Sequence, residues 1–138
     1  MTEMVAYLGV PATIAAPRVM EMMLRCQMPI SGNQGGIITA DYGKEKSIGA
    51  TYALASRVII IPTGDSGSVV RLVATETSEG SFGGGSIPVS NKNDGRSRNA
   101  WIQLRYVMKQ ILVDSALKAD REKSTKIGAP FLFSEPAK

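Results

Sequence analysis

ATYALASRVIIIPTGDSGSVVRLVATET, residues 50–77, decides the fold. Two runs rich in Val, Ile, Ala and Thr flank Pro62-Thr-Gly-Asp-Ser-Gly67, which is dense in turn residues. Val70, Leu72 and Ala74 alternate with Val69, Arg71 and Val73, the period of a strand with two unlike faces. The stretch therefore predicts a β-hairpin with strands over 50–61 and 68–77. Val58-Ile59-Ile60-Ile61 is a continuous apolar run, and it predicts that this end is covered on both sides.

Upstream, GIITADY (36–42) predicts a short strand and GKEKSIG (43–49) a polar connection. RVMEMMLRCQM (18–28) sets Val19, Met20, Met23, Leu24 and Gln27 or Met28 at helical spacing. Pro17 fits the first helical position, where its fixed φ suits the turn and no N–H is wasted. Pro29 and Ser31-Gly32-Asn33 end that helix. Residues 4–15 read as a broken or edge strand around Gly9-Val10-Pro11.

Downstream, residues 78–99 are rich in Gly, Ser and Asn and read as a mobile loop, with Ile87–Val89 as a candidate short strand. AWIQLRYVMKQILVDSALK (100–118) is the clearest helix, with Asn99 as its N-cap. Trp101, Leu104, Val107, Met108, Ile111, Leu112 and Ser115 form its apolar stripe. Gln103, Arg105, Lys109, Gln110, Asp114 and Lys118 form its expected wet side. Residues 119–138 lose the pattern and are expected to form a tail or a clamp across the domain.

The expected class is α+β: one antiparallel sheet, a short N-terminal helix and a long C-terminal helix on one face. The order is β-α-β-β-β-α, a helix-grip-like domain over residues 1–118. The expected core is Val19, Met23, Ile37, Ile38, Val58, Ile60, Val70, Leu72, Trp101, Leu104, Met108, Ile111 and Leu112.

Composition narrows the chemistry. The 138 residues are 43% hydrophobic and 20% charged, the usage of a globular domain. One Cys and no His exclude an intrachain disulfide, Cys/His zinc sites and His-dependent triads. The net charge of +4 is local: between Lys92 and Lys126 nine bases face four acids, while residues 1–91 hold six and seven. Such a patch can meet phosphate or an acidic partner, although a solvated helix face is its ordinary reading. No apolar run reaches the length of a transmembrane helix. Met1-Thr-Glu-Met does not read as a signal peptide. The expected location is cytoplasmic, or the cell envelope if a leader has been removed.

The order of elements resembles envelope lipoprotein domains of the BamC type. The strings that carry the resemblance are VMEMMLRCQM (19–28), GGIITADY (35–42), YALASRVIIIPTG (52–64), SGSVVRLVATET (66–77) and AWIQLRYVMKQIL (100–112). ATIAAPRVMEMM (12–23) also looks like the strand-to-helix entry of START-like helix-grip domains. The resemblance spans about residues 13–117 and implies a non-enzymatic scaffold or partner-binding module of a bacterial envelope assembly. The chain departs from the family's pattern in lacking a visible lipobox Cys.

Short motifs add little chemistry. Gly83-Gly84-Gly85 and Gly64-Asp65-Ser66-Gly67 lack the Lys-Ser/Thr of a phosphate-binding loop. Gly64-Asp65-Ser66-Gly67 also looks like the strand around a serine-protease nucleophile, but a turn accounts for it. Asp41, Glu45, Asp65, Glu76 and Glu79 read as solvated strand ends and turns. Cys26 reads as a buried thiol. The candidate partner-binding residues are Arg96, Arg98, Arg105 and Lys109 of the basic segment, with Met22 as the exposed member of a Met-rich helix. No catalytic, cofactor or metal residue is assigned. A protein partner is the leading expectation and self-association is compatible with it. A nucleic-acid or acidic-partner binder and an apolar-ligand carrier are the alternatives.

Overall fold

The computed structural model describes residues 1–80, 84–90 and 92–126. The elements are β1 (Glu3–Leu8), α1 (Ala12–Arg25), β2 (Ile30–Gln34), β3 (Ile37–Ser47), β4 (Ala50–Thr63), β5 (Gly67–Gly80), β6 (Gly85–Pro88) and α2 (Gly95–Val113). The protein is therefore α+β, with an antiparallel sheet and two helices. Strand order is β1-β5-β4-β3-β2, and β6 shares the β1 side of β5.

The expected β4–β5 hairpin is present and longer, running from Ala50↔Gly80 to Thr63↔Gly67. The sequence-derived order lacks β2 and carries β6 only as the candidate short strand Ile87–Val89. β2 occupies the segment read as a helix-ending turn. It pairs with β3 across Gly35-Gly36, both at positive φ, the geometry of a tight hairpin turn. A side chain at Gly36 would place its Cβ 2.7 Å from the Ile60 carbonyl oxygen, so only Gly fits. β6 lies within the expected loop 78–99, of which residues 81–83 and 91 fall outside the described residues. β3 continues through the expected polar connection. Its register gains one residue between Asp41 and Lys44, a β-bulge with Gly43 at φ +79°.

Both helices start earlier than their patterns predict. α1 begins at Ala12, so Pro17 lies inside it and withholds the N–H that would meet the Thr13 carbonyl. Thr13 is exposed, and water can take that bond. Gln27 ends α1 at φ +59°. Gln27 N–H donates to Leu24 O, and Met28 N–H to Met23 O, at 2.9 and 3.1 Å. That is a Schellman closure with Gln in the usual Gly position. α2 begins at Gly95 after Asp94, not at Asn99, which lies inside the helix.

The register assigns every strand residue to a face. Met4, Leu72, Val58 and Ile38 form one cross-sheet row, and Ala6, Val70 and Ile60 another. All seven are buried. They share one core with Val19, Met22 and Met23 of α1 and with Trp101, Leu104, Val107, Met108 and Ile111 of α2. The space between α2 and the sheet is thus filled with side chains. The expected core holds except at Ile37, which lies on the other face, 38% exposed, and at Leu112, only partly buried.

The chain after α2 seals the β1 edge. Lys118 O accepts from Gly9 N, Tyr7 O from Asp120 N, and Val5 O from Thr125 N. Two hydroxyls supply the remaining acceptors: Val5 N donates to Thr125 Oγ1 at 2.8 Å and Tyr7 N to Ser124 Oγ at 3.1 Å. An open strand edge invites pairing with other chains, and this segment removes the invitation along β1. The expected tail or clamp lies along β1 as far as Lys126, and residues 127–138 lie outside the described residues. Ser124→Ala leaves the Tyr7 amide without its acceptor. The variant is expected to lose about 1–2 kcal/mol of stability. Hydrogen exchange should show faster loss of protection at Tyr7 than at Leu72 in the sheet interior.

Candidate interaction surface

The second face of the sheet follows from the same register. Val5, Arg71, Ile59 and Ile37 form one row, Tyr7, Val69 and Ile61 a second, and Glu3, Val73, Arg57 and Thr39 a third. Tyr7, Ile37 and Ile61 are 40%, 38% and 39% exposed, and Val5, Ile59, Val69 and Val73 are half-buried. Seven apolar side chains thus share a face that neither helix covers. This overturns the reading of Val58–Ile61 as covered on both sides: Val58 and Ile60 enter the core, while Ile59 and Ile61 face away from it. β-branched and aromatic residues serve strands on either kind of face, so the run alone does not distinguish them.

The charges on this face are of both signs. Arg71 grips Glu3 through two bonds, Nε–Oε1 at 2.7 Å and Nη2–Oε2 at 2.8 Å. That guanidinium holds the Glu3 carboxyl below its ordinary range, against a smaller opposing effect of burial. Arg57 is exposed and makes no ion pair among the described residues. Asp41 lies on the same face next to the bulge, where its Oδ1 accepts from Gly43 N.

The structure does not gather the sequence-derived candidates into one surface. Arg96 is a structural clasp: Nη1 donates to Tyr42 O and Gly43 O at 3.0 and 3.2 Å, and Nη2 to Tyr52 O at 2.7 Å. Its Nε lies 3.4 Å from Glu45 Oε2, an ion contact without hydrogen-bond geometry. Arg105 is buried, not wet, and desolvation lowers its pKa from the ordinary arginine value. Lys109 Nζ stands 5.6 Å from the centroid of the Tyr106 ring. Arg98 is exposed on α2. Met22 is buried in the core, which corrects its reading as the exposed methionine of α1. α1 buries a broader side than a single stripe, because it packs against both α2 and the sheet.

Gln103, also expected on the wet side, is buried and joins α1, α2 and β3. Tyr42 Oη donates to Gln103 Oε1 at 2.6 Å, and Gln103 Nε2 donates to Cys26 O at 3.0 Å. Burial pushes the Cys26 thiol up to about 11, with a weaker opposing effect from Gln110. A thiol held protonated is a poor nucleophile. In the native protein Cys26 is expected to resist iodoacetamide at pH 8, and in denaturant to react as a free thiol. Mass spectrometry of a timed alkylation checks this; full labelling of the native chain within minutes would contradict the burial. Among the carboxylates, Glu45 meets Arg96 and Glu76 accepts from Ser97 Oγ at 2.8 Å. Among the described residues no three His, Cys, Asp or Glu side chains are close enough to hold a metal ion. None of the described helices is long and apolar enough to cross a membrane.

Neither models of known protein families, nor curated proteins, nor solved structures match this chain.

Proposed function

We propose that the protein is a non-enzymatic protein-interaction module that binds through the open face of its sheet. The observation that carries this is the patch of Val5, Tyr7, Ile37, Ile59, Ile61, Val69 and Val73 on one side of the register. Contiguous apolar patches of several hundred Å2 on a small protein mark interaction surfaces. Side chains of both helices share the core with the other face of the sheet, and among the described residues neither helix covers this one. The resemblance to BamC-type domains supplies the setting, a scaffold in a bacterial envelope assembly.

The nucleic-acid alternative draws less support. A phosphate-binding surface needs several bases presented together. Here Arg96 is committed to three carbonyls, and Arg121 Nε donates to Leu112 O. The carrier alternative needs room between α2 and the sheet, where Trp101, Leu104, Met108 and Ile111 are packed.

The test immobilises the full chain and its Ile61→Lys variant against an extract of the source cells, with a salt titration of whatever is retained. The expected result is retention of protein that survives salt and is lost in the variant. Nucleic acid eluting steeply with salt, unaffected by Ile61→Lys, would overturn the proposal.

A further inference from the structure

We infer that the open sheet face pairs with the same face of a second copy of this chain. The inference rests on the reading of that face as an interaction surface and names its occupant. The argument is the symmetry of the face about β5. β1 and β4 flank β5 on either side, and the register sets Val5 and Ile59 across Arg71, Tyr7 and Ile61 across Val69, and Glu3 and Arg57 across Val73. A two-fold axis along β5 exchanges the members of each pair. It lays Val5 on the partner's Ile59, Tyr7 on the partner's Ile61, and Glu3 on the partner's Arg57. Val69 and Val73 meet their own equivalents on the axis.

The apolar contacts and the Glu3–Arg57 contacts are therefore self-complementary. Arg57, which has no ion pair of its own among the described residues, gains the partner's Glu3. Arg71 meets its own equivalent on the axis, and Glu3 of its own copy offsets that charge while it also faces the partner's Arg57. Across the three rows the face carries Arg57 and Arg71 against Glu3, and Asp41 lies beyond them at the bulge. A copy of the same face sets each Glu3 against an Arg57. An axis along the strands also keeps the two sheets aligned, the common arrangement of stacked sheets.

The area is that of a weak dimer. Three strands, β1, β5 and β4, at ~4.8 Å and three rows at ~6.8 Å outline about 290 Å2 of sheet, before side-chain relief is added. Specific interfaces begin near ~600 Å2 on each partner. Association with a Kd on the order of 100 μM is expected for a patch of this size and polarity.

The test is sedimentation equilibrium of the full chain across concentration, with Arg57→Glu and Glu3→Arg made separately. The wild-type chain is expected to dimerise, and each variant to weaken dimerisation roughly tenfold or more, because Glu then faces Glu or Arg faces Arg. Mixing the two variants is expected to restore association, since every cross-copy pair is again opposite in sign. Melting curves confirm that each variant folds. A chain that stays monomeric up to several hundred micromolar, or a mixture that associates no better than either variant alone, overturns the inference. A monomeric chain that still loses a retained protein through Ile61→Lys would sink the self-pairing and leave the interaction reading standing.

Discussion

Trp101→Ala is expected to lower stability by about 3–5 kcal/mol, the largest effect of any single truncation in this chain. Trp101 is 1% exposed in the second turn of α2 and belongs to the core shared by both helices and the sheet. Removing the indole leaves a void that the neighbouring strands cannot close, because the ladder from β1 to β3 fixes their spacing. Small domains hold ~5–15 kcal/mol in all, so the variant sits near the limit of folding. Urea unfolding followed by far-ultraviolet circular dichroism measures this; fluorescence cannot, since Trp101 is the only Trp. Trp101→Phe serves as the control. It keeps much of the volume and removes an indole N–H that has no acceptor among the described residues. Its cost is expected to be less than half that of Trp101→Ala. Equal losses in the two variants would mean that packing is not what Trp101 contributes.

Arg96→Ala is expected to cost about 2–3 kcal/mol and to loosen the β3–β4 hairpin before the rest of the sheet. A bulge leaves carbonyls outside the ladder, and one guanidinium collects Tyr42 O, Gly43 O and Tyr52 O from both strands. The planar fork allows this, and an ammonium has no such geometry. Arg96→Lys is therefore expected to recover less than half of the loss. Hydrogen exchange should report faster opening around residues 42–52 in both variants. Unchanged stability with lost partner binding would return Arg96 to the role its charge suggests in the sequence, a contact to a partner.

Periodicity reveals a side chain's face only when the two faces differ in polarity. Leu72 and Arg71 alternate in that way, and the β5 pattern reads correctly. Ile59 and Ile61 are as apolar as Val58 and Ile60, so the β4 run hides an open face inside what looks like a buried strand. β2 escaped notice because an edge strand with Ser31, Gly32, Asn33 and Gln34 is polar on both sides. Its signal was the Gly35-Gly36 pair, which closes a hairpin when an apolar run such as Ile37-Ile38 follows. α1 and α2 begin N-terminal of their expected starts because Pro17 and Asn99 are good starting residues only in isolation. Arg96 and Arg105 were placed in water by residue type, yet the bulge recruits one and the packing of α2 desolvates the other. The hydroxyls of Ser124 and Thr125 carry no local signal, since their partners lie in β1, 117 and 120 residues away.

By itself the sequence determined the class, the β4–β5 hairpin, the apolar stripe of α2 and the exclusion of His-dependent chemistry. Those follow from local spacing and composition, which act over a few residues. Only the tertiary structure decided which face of the sheet the helices cover, which arginine is spent on backbone carbonyls, and how the β1 edge is closed. Each of those depends on pairing between segments far apart in the chain. A register of strands converts such distant pairings into faces, and the face left open is where the function is proposed to lie.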